Sequence, residues 1–350
     1  MGAARSRGRK VLKPVLIGCG TVVALIIVLV VMAGLWLFPR SGDIGESGHH
    51  PFRSVEAKQR YLRRYDARAQ TWPVLSESRM VPTSYGPTFV RISGPTGGPP
   101  LVLLHGIGGS SLQWEPNIAA LSDSYRTYAV DNIYDYGRSV YTRPITGPHD
   151  FIVWLDDLFD ALELGENINL VGLSYGGWLA SQYALEHPER LGGIVLLAPA
   201  ATVMPIEPEW LARAALCVIP HRRLTESFLS WLLPDMARGG DDDRAMLSGW
   251  VEDSFVAMRS FKPKRMVNPT VLRDEELQSI MVPTLYLVGA NERIYSAQEA
   301  VERLNTVAPH IETEIIPRAG HDLTYVQAEL VNGRILEFLG RTARIESANR

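Results

Sequence analysis

The sequence predicts an α/β fold, a mostly parallel sheet with helices on both faces, into which a separate helical segment is inserted. Three observations carry this expectation. Short β-rich runs alternate with helical stretches from Thr88 to Ile316, and one of those runs leads directly into a serine turn flanked by glycines. The alternation then stops between Pro199 and Val282, where helical pieces take over. With 350 residues and 46% hydrophobic content, the chain can form one large domain plus a small insertion without metals or disulfides.

Residues 1–14 form a basic tail with Arg5, Arg7, Arg9, Lys10 and Lys13, followed by an uncharged apolar stretch from Val15 to Phe38. As a helix, rising ~1.5 Å per residue, that stretch would span roughly 36 Å, enough to cross a hydrocarbon core of about 30 Å. The apolar region of a cleaved signal peptide runs to only about 7–15 residues. Length therefore predicts a transmembrane signal anchor over 15–38 in contact with membrane lipid. The basic residues keep the amino terminus cytoplasmic and place everything after Arg40 outside the membrane. Val31-Met32-Ala33 offers small residues for a signal peptidase, so secretion after cleavage is the alternative.

Residues 39–52, rich in Gly, Ser, Asp, Glu and His, read as a linker. Residues 53–79 read as a juxtamembrane amphipathic helix, because Val55, Tyr61, Leu62 and Tyr65 recur at roughly helical spacing among charges. Packing against the domain is its expected role, and the concentration of Lys58, Arg60, Arg63, Arg64 and Arg68 leaves a membrane-surface role open.

The core is expected in two parts, 80–199 and 283–342, with a tail at 343–350. Its β-rich runs are Thr88 to Ile92, Leu101 to Leu104, Arg126 to Val130, Ile168 to Leu173, Gly193 to Leu197, Thr284 to Val288 and Glu312 to Ile316. Right-handed crossovers put helices on both faces of such a sheet, and ligands bind beyond the carboxyl ends of its strands. The helical cap, 200–282, is inserted after strand 6. Its Trp210, Leu211, Leu216, Phe228, Trp231, Leu232, Trp250, Phe255 and Phe261 pack the cap on the body or line an apolar pocket. Asp241, Asp242 and Asp243 follow two glycines and read as a solvated loop, with no metal site.

Ser174 stands in Gly172-Leu173-Ser174-Tyr175-Gly176, between a strand and a helix. Such a turn holds the serine in a strained backbone conformation with its hydroxyl clear of the sheet, and glycines are needed because a Cβ at Gly172 or Gly176 would collide with neighbouring backbone. A serine hydroxyl needs a base within hydrogen-bond reach, itself oriented by an acid. His321, in Ala319-Gly320-His321-Asp322 after the last strand, is the candidate base. Glu292, in Gly289-Ala290-Asn291-Glu292 beyond the strand Thr284 to Val288, is the candidate acid, with Asp322 as its competitor. Tyr175 is the residue whose backbone N–H would stabilise an oxyanion from one side. Ile107, in the turn His105-Gly106-Ile107-Gly108-Gly109, would do so from the other, and Gly106 and Gly108 let that backbone approach substrate. Asp131 through Ser139 supplies a further turn, read as structural.

These five segments occur in the order and context of the α/β-hydrolase superfamily, which the chain resembles from about Pro82 to Leu339. Within it, Gly172-Leu173-Ser174-Tyr175-Gly176-Gly177, Leu197-Ala198-Pro199-Ala200 and Gly289-Ala290-Asn291-Glu292-Arg293-Ile294-Tyr295 are most similar to bacterial carboxylesterases of the NP type, a branch that also carries glutamate as its acid. The resemblance implies a serine hydrolase acting on small-molecule carboxylic esters, including methyl esters of arylpropionic acids, without a cofactor. Lactone, carbon–carbon bond and amide cleavage, acyl transfer, and low-turnover ligand sensing are the alternatives. A net charge of only -3, scattered along the chain, gives no footprint for nucleic acid. Nothing in the sequence sets an oligomeric state.

Overall fold

The computed structural model describes residues 48–217, 219 and 221–348. The expected anchor at 15–38 and the basic tail lie outside these residues. Two compact units divide the chain, one of 44–262 with 266–350 and one of 1–43 with 263–265. Every helix and strand named below lies in the first. No helix among the described residues is long and apolar enough to cross a membrane.

Eight strands form one sheet in the order β1-β2-β4-β3-β5-β6-β7-β8. They are β1 (Ser76–Val81), β2 (Thr88–Ser93), β3 (Pro100–Leu104), β4 (Arg126–Val130), β5 (Ile168–Leu173), β6 (Leu191–Leu197), β7 (Thr284–Gly289) and β8 (Glu312–Ile316). The β1–β2 and β2–β4 pairs are antiparallel, and every other pair is parallel. All residues of β5, β6 and β7 are buried, so both faces of the centre are covered, as an apolar parallel sheet requires.

All seven runs read from the sequence are strands. The eighth, β1, corrects the expectation of a helix over 53–79: helix α1 spans only Val55–Ala69, and the chain then turns into an edge strand. Ser76-Glu77-Ser78-Arg79 carries no apolar alternation because five of its six strand positions are exposed. Polar edges of this kind resist pairing with other chains.

Between the strands run α2 (Glu115–Ser122), α3 (Pro148–Ala161) and α4 (Tyr175–Glu186). Helix α3 shows why the sequence folds as it does. Phe151, Trp154, Leu155, Leu158 and Phe159 recur at helical spacing and are buried, while Pro148 and the backbone-bound Asp150 start the helix. Trp154 places its indole N–H on the Thr88 hydroxyl, so even this core side chain is satisfied.

The cap contains α5 (Pro208–Leu216), α6 (Arg222–Leu232), α7 (Pro234–Arg238) and α8 (Asp241–Ser260), and α9 (Asp274–Ser279) leads back to β7. Asp241, Asp242 and Asp243 are the first turn of α8 and not a loop, where negative charge complements the helix dipole. Leu229, Leu233, Met236, Leu247 and Val251 form a small core of the cap's own, against which Tyr325 and Val326 of the body pack. Its two stems meet: the Leu272 N–H donates to Thr202 O, and Arg303 of α10 (Ala297–Val307) donates to Val203 O and Leu272 O. The chain ends in α11 (Leu323–Val326) and α12 (Ala328–Ala348).

Polar contacts hold helix α1 to the cap as well as to the body. Arg64 pairs with Asp253 at 2.5 Å, Arg68 bridges Glu115 and Asp253, and Arg60 reaches Ser260. Lys58 donates to Gly48 O, so four of the five basic residues in this segment bond within the protein. The buried Tyr65 hydroxyl lies against Ser111 and both oxygens of Asp131, and Asp131 also accepts the N–H groups of Ser111 and Arg138. Replacing Tyr65 with Phe leaves that buried carboxylate short of a donor. The expected cost is about 1–3 kcal/mol, read as a lower urea midpoint at unchanged m-value.

Candidate active site

The turn between β5 and α4 carries the strain expected of it. Ser174 adopts φ 53° and ψ −113°, a left-handed backbone that a non-glycine residue keeps only when its surroundings impose it. Those surroundings are tight. A Cβ at Gly172 would lie 2.2 Å from Gly176 O, and one at Gly176 would lie 2.1 Å from Leu104 O. Ser174 is 4% exposed, and its backbone is held by bonds to Leu197 O and from Ala200 N and Trp178 N.

His321 and Glu292 are brought together. The imidazole Nδ1 lies 2.9 Å from Glu292 Oε2, with the glutamate side chain fully buried. Glu292 Oε1 accepts the N–H groups of Arg293 and Ile294 at 2.7 and 2.9 Å. The carboxylate is thus fixed from one side and meets the ring with the other, which sets the tautomer: Nδ1 carries the proton and Nε2 is an acceptor. Asp322, the competing acid, points elsewhere. It accepts from Gly320, Asp235 and Met236 N–H groups, and burial pushes its carboxyl above the usual range.

All three side chains lie beyond the carboxyl ends of β5, β7 and β8. The His321 loop is tied back toward the serine through α11, where the Tyr325 hydroxyl donates to Gln113 O. The Gln113 side chain accepts the Gly106 N–H, and a Cβ on Gly106 would lie 3.3 Å from the Ser174 Cβ. No hydrogen bond joins the Ser174 hydroxyl to His321 in this structure.

The turn after β3 spends its backbone donors selectively. Gly106 N–H goes to Gln113, Gly108 N–H to Asp135 at 2.9 Å, and Gly109 N–H to Gly106 O. Among the described residues, the N–H groups of Ile107 and Tyr175 have no partner within the protein. Both residues, with Ser174, line a cavity of about 340 Å³ whose further walls include Ala200, Trp210, Leu211, Met266, Val267 and Ile294. Gly108 takes φ +76°, a left-handed backbone that glycine adopts without strain. His105 is a strut: its Nε2 accepts the Asn132 N–H, which leaves Nδ1–H for Gly106 O.

Of the nine large apolar cap residues singled out from the sequence, only Trp210 and Leu211 line the cavity. Phe228 stacks on Trp231, Trp250 packs on Tyr325, and Phe261 packs among Phe52, Tyr61 and Tyr136. Three contributors escaped sequence reasoning. Asp135 and Gln113 shape the Ile107 turn, and the Tyr175 hydroxyl donates to Val267 O at 2.8 Å, pinning one cavity wall to the serine turn. Burial keeps the Tyr175 phenol protonated, and so a donor.

A left-handed serine on a strand-to-helix turn, facing a cavity at the carboxyl end of a parallel sheet that also holds a buried histidine–glutamate pair, defines the α/β hydrolases. The chain belongs to that family: the profile of the alpha/beta hydrolase family matches residues 101–334. Among its relatives, carboxylesterase YbfK of Bacillus subtilis (strain 168) is 38% identical over 297 residues, which cover 82% of this chain and 96% of the relative. The crystal structure of carboxylesterase CesB (YbfK) from Bacillus subtilis matches with a TM-score of 0.74 at 38% identity, covering 81% of this chain and 99% of that one. Naproxen esterase (carboxylesterase NP) from Bacillus subtilis matches with a TM-score of 0.74 at 35% identity, covering 82% and 99%. The likeness to the NP type read from the motifs is found in both comparisons.

Among the described residues, no group of His, Cys, Asp and Glu side chains is arranged to hold a metal ion. Cys217 is buried in the cap, with its thiol pushed up to about 11 by burial. At pH 8 only about a thousandth of it is thiolate, the reactive form. Iodoacetamide at that pH should leave Cys217 unmodified in the native protein and alkylate it after denaturation, as read by peptide mass spectrometry.

Proposed function

We propose that the chain is a serine carboxylesterase that hydrolyses small to medium apolar carboxylic esters through an acyl-enzyme. Ser174 is the nucleophile, His321 the general base and Glu292 the acid that orients it. The observation that carries this reading is the Nδ1 contact of His321 with a buried, backbone-bound Glu292 at the sheet edge where the strained Ser174 lines an apolar cavity.

The chemistry follows from the placement. Ser174 Oγ adds to the ester carbonyl carbon as its proton passes to His321 Nε2, and the imidazolium is stabilised by Glu292 across Nδ1–H. Such hydrogen bonds tighten as the reacting complex forms. The carbonyl oxygen, now negative, takes the N–H groups of Ile107 and Tyr175, each worth roughly 3 kcal/mol in the transition state. Proton return to the ester oxygen expels the alcohol. Water, deprotonated by the same Nε2, then releases the carboxylic acid and restores Ser174. No step needs a cofactor.

A cavity of about 340 Å³ with mainly apolar walls suits one medium acyl or aryl group. Two relatives are named as carboxylesterases and one of the matching structures as a naproxen esterase, which supports the ester class. Ser174→Ala should lower turnover of a short p-nitrophenyl ester by at least about 10⁴-fold and abolish labelling by a fluorophosphonate. Turnover near the wild-type rate in that variant would refute the assignment.

We further propose that residues 15–38 anchor the enzyme in the cell membrane, with the amino terminus cytoplasmic and the catalytic domain outside. The length of the uncharged stretch and its basic flank support this reading. Protease added to intact cells should then remove the catalytic domain. Survival of the domain until the membrane is broken would overturn the topology, and its release into the medium as a shortened chain would show cleavage.

A further inference from the structure

We infer that Asp322, which the proposed chemistry does not use, is a positioning residue that fastens the His321–Glu292 pair to the helical cap. The inference rests on the reading of that pair as base and acid. Asp322 is fully buried and stands next to His321 in the chain. Its Oδ1 accepts the Gly320 N–H at 2.9 Å, inside the base loop. Its Oδ2 accepts the Asp235 and Met236 N–H groups at 3.1 and 2.9 Å, in the first turn of α7. One carboxylate thus bridges the loop that carries the base and a helix of the cap.

The acid loop reaches the same turn of helix. Asn291, the neighbour of Glu292, donates its side-chain N–H to Asp235 Oδ1 and Oδ2 at 2.9 and 3.0 Å. Its backbone N–H donates to Ala319 O at 2.8 Å, and a Cβ on Gly320 would lie 2.8 Å from Asn291 O. The contacts close a ring: Glu292 to His321, His321 through its peptide neighbour Asp322 to α7, and α7 through Asp235 and Asn291 back to Glu292. Each member of the pair is held from the chain position adjacent to it.

A plain helix-capping role accounts for the bonds to Asp235 and Met236, but it leaves unused the bond to Gly320 and the return through Asn291. The difference matters for catalysis because displacement of a reacting group by about 1 Å can cost as much as 10²-fold in rate. Capping alone stabilises the cap. The ring, in contrast, also fixes the distance and plane of the imidazole relative to Glu292.

The test uses the full-length chain. Asp322→Asn keeps the shape but turns one acceptor into a donor that must face either Gly320 N–H or the start of α7. The surface pair is loosened separately by Asn291→Ala, Asp235→Ala and the double variant, which serve if the buried substitution prevents folding. Positioning predicts that kcat on a short p-nitrophenyl ester falls about tenfold or more in Asp322→Asn and by a few-fold in the surface variants, with KM within twofold. It also predicts that the far-downfield proton NMR signal of His321 Nδ1–H moves upfield or broadens in the same variants, and that the double variant loses no more than either single one.

An unchanged signal and wild-type kcat in folded Asp322→Asn, or in the double surface variant if only that folds, would overturn the inference, whatever happens to the melting temperature. The NMR signal reports the histidine–glutamate contact regardless of the reaction catalysed. Failure of the esterase reading, seen as activity retained by Ser174→Ala, is therefore told apart from failure of the ring.

Discussion

The close approach of α4 to the end of β3 is the constraint from which the rest of the site follows. Gly176 passes so near Leu104 O that no side-chain carbon fits between them, and Gly172 meets the same turn from the strand side. With the helix start pressed down on the sheet, the single residue between strand and helix must take a left-handed backbone, and that residue is Ser174. The same compression sets Tyr175, whose N–H is the first of α4 and has no helix carbonyl to receive it, at the cavity wall. A strained serine and a partnerless N–H at the cavity wall are two results of one packing decision.

Around that corner, polar groups are placed mostly by main-chain bonds. Glu292 is held by two N–H groups, Asp131 by two and Asp322 by three, so each buried carboxylate is satisfied without a metal or a neighbouring cation. Backbone donors move only when the chain moves. That makes them suited to a site whose charges must not reorganise during a reaction. His105 belongs to the same scheme: a buried imidazole with both nitrogens bonded to backbone stiffens the Ile107 turn.

How much of this could be read from the chain depends on how local each signal is. The central strands β3, β5, β6 and β7 were legible because burial on both faces leaves runs dominated by Val, Leu and Ile, and β2, β4 and β8 through their β-branched and aromatic residues. Strand β1 was not, because an exposed edge selects polar residues and its partner β2 supplies the order. Ser174, Glu292 and His321 were legible through glycine-bearing loops at strand ends, a pattern imposed by the close contacts seen at Gly172, Gly176 and Gly289. The parts contributed by Gln113, Asp135 and Asp322 were not. Each has at least one contact with a residue outside its own motif, at Met236, Gly108 or Gly106, and only the folded chain brings such partners together. The acidic run Asp241-Asp242-Asp243 misled for a related reason, since charge alone marks a loop and a helix start equally well.

The meeting of the cap's two stems at Thr202 and Leu272, clamped by Arg303, has an evolutionary consequence. Some seventy residues leave and re-enter the sheet at nearly one point, so a replacement of different length would add little closure entropy and disturb no strand register. Helical segments of other shapes could be exchanged there as cassettes, re-tailoring acyl preference while the reacting groups stay untouched. The exchange would succeed only for inserts that re-create a docking turn for Asp322 and a carboxylate for Arg64, a rule by which compatible natural or designed caps could be chosen from sequence.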